Sequence, residues 1–157
     1  MRLVRSLLLV VLFGCSPAPA PAPAPAPEPA HRDLAADLAA EAAGRAGAGP
    51  RAEDVLAAFA RDHDPVAGTM QVLARPVAAR FCLSGRTSMG LGVVVCEYDS
   101  EDAARRGRDR SERLFGRAIR NRTLAVRRGA LLTLTRPTDD PALALEAGRM
   151  VGVFQTL

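Results

Sequence analysis

Cys82 and Cys96 flank the tripeptide Ser88-Met89-Gly90 at equal distance, and this arrangement restricts the fold more than any other feature of the chain. A hairpin turning on those three residues sets Phe81 opposite Glu97, Leu83 opposite Val95, Gly85 opposite Val93 and Cys82 opposite Cys96. A three-residue loop with glycine at its left-handed position is a common hairpin solution, so turn chemistry and cysteine pairing point to the same register independently. The pair is read as a disulfide. Closing a loop of ~15 residues contributes ~3 kcal/mol in the chain-entropy account. A redox or metal role fits less well, because there is no Cys-x-x-Cys and no histidine lies nearby in sequence.

The elements around this hairpin follow from periodicity and punctuation. Val77 to Thr87 and Leu91 to Tyr98 read as strands and Ser100 to Ile119 as a helix. Arg122 to Arg127 and Ala130 to Thr135 form a second hairpin across Arg128-Gly129, and Asp140 to Phe154 a last helix. The order ββαββα predicts an α+β fold: a small two-layer sandwich with an antiparallel four-stranded sheet covered on one face by two helices, of the general ferredoxin-like type. Asp99 or Ser100 caps the long helix, whose buried stripe would be Ala103, Ala104, Gly107, Ser111, Leu114, Phe115 and Ala118. Small residues at its start let it approach the sheet closely there. Pro141 suits the first turn of the last helix, with Leu143, Ala147, Met150, Val151 and Phe154 inward.

Two helices are expected before this unit. His31 to about Ala46 has a shallow apolar face, with Asp33, Asp37 and Glu41 marking a solvent stripe. After the break at Gly44 to Pro50, Ala52 to Asp62 carries Val55, Leu56 and Phe59 at core spacing. The packed domain is therefore expected over 51–157, preceded by an Ala-rich helix and linker over 31–50. Residues 16 to 30 read SPAPAPAPAPAPEPA, a tract that favours extended polyproline II. It is a spacer. At ~3.1 Å per residue it reaches about 40 Å.

The N-terminus has the form of a signal peptide: Arg2 and Arg5, an apolar run from Leu7 to Phe13, then Gly14 and Cys15. It is shorter than the ~20 apolar residues that span a bilayer. Leu12-Phe13-Gly14-Cys15 resembles the lipobox of bacterial lipoproteins, which implies cleavage after residue 14 by a signal peptidase of type II and lipidation (palmitate among the acyl groups) at Cys15. Ser16 in place of an aspartate resembles the pattern that sends such proteins to the outer membrane. The resemblance covers about the first 15 residues and implies a lipid-anchored envelope protein, facing the periplasm or the cell surface. In that compartment disulfides persist, and with Cys15 acylated an even pair of cysteines remains.

Charge and chemistry complete the reading. The chain has no Lys and no Trp, and aromatic residues make up 4% of it, so a single modest core is the most it can bury. Between residues 101 and 128 ten arginines face four acids. Arg106, Arg110, Arg113, Arg117 and Arg120 share one outer face of the expected helix, where they could meet phosphate or carboxylate groups of anionic lipid or glycan. The alternative is a solvated face with ordinary i, i+4 pairs, Asp102 with Arg106 and Asp109 with Arg113. Without interleaved aromatics, nucleic acid is not an expected partner. Asp62-His63-Asp64 is the only histidine-acid cluster of the expected domain, and three adjacent side chains rarely converge on one ion, so it reads as a polar helix end. No metal, cofactor or catalytic residue is assigned. The chain is read as a non-catalytic envelope lipoprotein, a membrane-tethered module binding an envelope protein; the alternative is an anion-binding module acting through the Arg-rich helix.

Overall fold

The computed structural model describes residues 33–45, 47, 49–62 and 64–157. The leader, Cys15, the whole Pro-Ala tract, His31 and His63 lie outside the described residues. The elements are α1 (Leu34–Ala43), α2 (Ala52–Arg61), β1 (Val66–Val72), a 3-10 turn (Arg75–Val77), β2 (Phe81–Thr87), β3 (Gly92–Glu97), α3 (Glu101–Phe115), β4 (Arg122–Arg127), β5 (Ala130–Thr135) and α4 (Pro141–Thr156). Five strands form one sheet in the order β1-β2-β3-β5-β4, every neighbouring pair antiparallel. The fold is mixed α+β.

The first hairpin has the register its cysteines and turn require: Phe81 pairs with Glu97, Cys82 with Cys96 and Gly85 with Val93. Gly90 sits at φ +93°, which L side chains rarely adopt, and its N–H donates to the Thr87 carbonyl at 2.9 Å. Cys82 and Cys96 form a disulfide, with Cα atoms 4.1 Å apart. β3 and β4 run parallel with β5 inserted between them, so β3-α3-β4 is a split crossover.

Two expectations are corrected. The sheet has a fifth strand: β1 adds to β2 as an edge, with a bulge between Ala67 and Met70 where Gly68 takes φ +62°. Its residues are mostly exposed, so no alternation of burial marks it, and pairing with β2 supplies what its own pattern lacks. The helices also do not share one face. α2 and α4 bury Val55, Phe59, Leu143, Met150 and Phe154 against Phe81, Val93, Val95, Leu132 and Leu134. α3 and the 3-10 turn cover the opposite face, over Cys82, Cys96, Tyr98 and Leu131. The reason lies in the strands: consecutive Val93, Val94, Val95 and Cys96 point alternately to both faces, and a two-layer arrangement would leave Val94 and Cys96 in water.

α1 has no buried residue but is tied on by polar contacts. The Gln71 side-chain amide donates to the Leu38 carbonyl at 2.7 Å, and the Glu41 carboxylate accepts from the backbone N–H groups of Ala74 and Arg75 at the start of the 3-10 turn. Glu41 thus faces inward instead of joining Asp33 and Asp37 in a solvent stripe.

Candidate functional site: the α3 face of the sheet

Side chains on the α3 face form rows across the strands. Val72, Cys82, Cys96, Leu131 and Val126 make the first, Met70, Ser84, Val94, Thr133 and Leu124 the second, and Arg86, Gly92, Thr135 and Arg122 the third. α3 starts at Ser100, whose hydroxyl caps it by accepting from the Ala103 N–H at 3.2 Å. Over its first turns it lies tight against the first row. Gly107 meets the Tyr98 ring so closely that an added Cβ would lie 2.2 Å from the phenol oxygen. Tyr98 is buried and its hydroxyl reaches the Val77 carbonyl at 3.4 Å. Burial pushes its ionisation well above the ordinary phenol value.

Beyond Ser111 the sheet surface is not closed off. A cavity of about 230 Å³, open on one side, lies between the sheet, the 3-10 turn and the end of α3. The disulfide, Val94 and Leu131 form its floor; Val72, Leu73, Pro76 and Val77 form one wall, and Phe115 and Ile119 the other. Its polar lining is Ser111, Thr133, Thr135 and Arg122. The Arg122 guanidinium is half-buried, donates to the Ser111 hydroxyl at 2.5 Å and lies 5.9 Å from the centroid of the Phe115 ring. Among the described residues Arg122 makes no ion pair. Of the walls, Leu73 and Ile119 are also exposed at their outer edges, and apolar Met70, 62% exposed, continues this surface outside the cavity.

The five arginines do not form one stripe. α3 ends at Phe115, four residues before the expected Ile119, so Arg106, Arg110 and Arg113 lie on the helix, whereas Arg117 and Arg120 lie in the turn beyond it. Ala118, in that turn, is exposed instead of buried, and so is Leu114, which lies on the helix itself. Arg110, though exposed, reaches across to the 3-10 turn, its Nε donating to the Pro76 carbonyl at 2.6 Å. Among the described residues Arg106 and Arg113 make no ion pair; with Arg110 they line a shallow depression over Gly107 and Ala78. Asp102 and Asp109 do not make the expected i, i+4 pairs with Arg106 and Arg113; the helix's i, i+4 ion pair is Arg105 with Glu101, and Asp109 pairs with Arg108.

Sequence reasoning missed a second charged cluster, on the opposite face. Glu97 is 3% exposed and accepts from the Ala52 N–H at 2.8 Å and from the Arg45 guanidinium, which also grips Glu53 and lies 4.0 Å over the Phe81 ring. The hydrogen bond from Arg45 holds Glu53 below the usual carboxylate range, and Glu53 and Glu97 together raise Arg45. This cluster fastens the segment between α1 and α2 to the sheet. Its sequence signal was a lone glutamate inside the apolar run Val93 to Tyr98. Glu146 was missed for a similar reason: it falls within the buried stripe of α4, and its Oε2 has no hydrogen-bond partner.

Of Asp62-His63-Asp64, Asp64 pairs with Arg149 at 3.2 Å. Among the described residues no group of three or more His, Cys, Asp or Glu side chains is placed to hold a metal ion, and no helix is long and apolar enough to cross a membrane. No protein-family model matches the chain, and comparison with curated proteins and with solved structures gives no match.

Proposed function

We propose that the chain is a lipid-anchored binding module of the bacterial cell envelope, without catalysis of its own. It is acylated at Cys15, set off from the outer membrane by the Pro-Ala tract, and presents the α3 face of its sheet to what it binds. The observation that carries the binding reading is the cavity beyond Ser111, an apolar hollow bordered by exposed Met70, Leu73 and Ile119. A few polar groups converging on a mostly apolar concave surface are the usual composition of a binding site. The anchor rests on the lipobox-like Leu12-Phe13-Gly14-Cys15.

A second reading is favoured by Arg106 and Arg113, which make no ion pair among the described residues beside Arg110. In that reading the outer surface of α3 meets phosphate or carboxylate groups of lipid heads or glycan, and its binding weakens as salt rises.

The test is site-specific photo-crosslinking in intact cells from Ile119 and Leu73, with Leu145 of α4 as the control on the other face. Adducts confined to the first two positions, on a protein that Cys15→Ala releases from the membrane fraction, support the reading. Equal adducts from Leu145, or a membrane-bound Cys15→Ala chain, overturn the face or the anchor respectively. Arg106→Glu with Arg113→Glu abolishes adduct formation only if the outer surface of α3 is the contact.

A further inference from the structure

The composition of the cavity specifies its ligand more narrowly than the face as a whole does. Its apolar end is the row holding the disulfide and its polar end the row holding Thr135 and Arg122, four residues further along the strands, about 14 Å at the rise of an extended chain. Gly92 in that polar row has no side chain, which leaves room above Thr135. A volume of 230 Å³ is about one and a half times that of a cavity that admits benzene, so it holds roughly nine carbons. No residue lining it is acidic. The Arg122 guanidinium therefore stands at the end of an apolar hollow, half-buried, and among the described residues its hydrogen-bond acceptors are the neutral Ser111 hydroxyl and carbonyl alone. A partly desolvated cation without a carboxylate favours an anionic group that brings the missing charge.

We propose that this cavity binds a single-chain amphiphile with an anionic head, the chain lying along the strands toward the disulfide and the carboxylate or phosphate head at Arg122. The inference rests on the α3 face being the binding face, and it assigns that face a small ligand. A carboxylate head corresponds to a free fatty acid and a phosphate head to a lysolipid; both present the same chemistry to Arg122. Arg86 stands at the far end of the same row, where it donates to the Gly90 carbonyl at 3.1 Å and does not line the cavity, which leaves Arg122 as the head contact.

The test uses the full-length chain carrying Cys15→Ser, so that no acyl group of its own competes. Titrations with decanoate, decyl phosphate, decanol and decyltrimethylammonium are followed by calorimetry and by the methyl resonances of Val94 and Leu131. The anionic probes should bind about tenfold or more tighter than decanol, the size of a charge-assisted hydrogen bond, and the cation weakest of the four. Arg122→Gln should remove that preference while decanol still shifts the two methyls. Thr133→Phe, which fills the hollow from a half-exposed strand position, should abolish all binding. The tighter of decanoate and decyl phosphate names the source of the head. Equal affinity for decanol and the anions overturns the assignment of the head while leaving the binding face intact. Absence of any shift at Val94 and Leu131 with all four probes overturns both the ligand and the α3 face as its site.

Discussion

Gly107→Ala tests whether α3 is held by its approach to Tyr98. In an open helix interior this substitution stabilises by about 1 kcal/mol, because glycine has more conformational freedom to lose. Here the new Cβ would lie 2.2 Å from the Tyr98 hydroxyl oxygen, 2.3 Å from Cζ and 2.4 Å from Cε1. The ring cannot swing aside easily, since it is 1% exposed and its hydroxyl reaches the Val77 carbonyl. Overpacking of this kind costs roughly 1–3 kcal/mol once α3 or the ring has shifted. With the overlap in the upper part of that range, a net loss of about 1–2 kcal/mol is expected, a fall in Tm of several degrees for a domain of this size. Urea denaturation of four proteins measures it: the wild type, Gly107→Ala, Tyr98→Leu and the double variant. In the Tyr98→Leu background the overlap is gone, so Gly107→Ala should change sign and stabilise by up to about 1 kcal/mol. A stabilising Gly107→Ala in the wild-type background, or an equal loss in both, would refute the argument.

Three further outcomes are expected. Arg45→Met leaves the buried Glu97 carboxylate with the Ala52 N–H alone and should cost about 3–5 kcal/mol in denaturation, much of it recovered by adding Glu97→Gln; a loss below about 1 kcal/mol would show that the cluster is dispensable. Tyr98 is the only tyrosine, so tyrosinate absorbance follows it alone. Its folded value is raised, so its contribution is intact below the unfolded value of about 10 and falls as pH rises above it, by about 1.4 kcal/mol per pH unit until the folded group itself ionises. Ionisation should therefore coincide with alkaline unfolding, and a tyrosinate signal near pH 10 from a folded chain would contradict the burial argument. Replacing Cys82 and Cys96 by alanine should cost about 3 kcal/mol. Because Cys82 and Cys96 are 1% and 5% exposed even at the floor of the cavity, reduction of the native protein should accelerate with denaturant; a rate independent of denaturant would place the disulfide within reach of solvent.

Much of the local structure was legible because it is carried by short-range chemistry. Ser88-Met89-Gly90 and the two cysteines set the first hairpin's register, Arg128-Gly129 the second's, and Ser100 and Pro141 the starts of α3 and α4. The covering of both sheet faces was also written in the chain, in the unbroken apolar runs Val93 to Cys96 and Ala130 to Leu132, whose alternate side chains point to opposite faces. β1 was not legible. Exposed residues and an internal glycine give no periodicity, and such an edge exists because β2 offers it hydrogen bonds.

The candidate site belongs to the second kind of information. From the sequence, the arginines near α3 look like one charged stripe; where the helix stops, at Phe115, divides them, while Arg122, on a strand as expected, comes to stand at the mouth of a hollow. Arg45 finds Glu97 across 52 residues of chain, and Gly107 finds Tyr98 through the docking of a helix on a sheet. Hairpins, caps and the lipobox-like N-terminus depend on neighbours in sequence, so the amino-acid order alone determines them. The cavity depends on how far α3 separates from the sheet between Gly107 and Phe115, a distance set by side chains from α3, β3, β4, β5 and the 3-10 turn packing at once. No local pattern encodes such a distance, and only the assembled tertiary structure decides it.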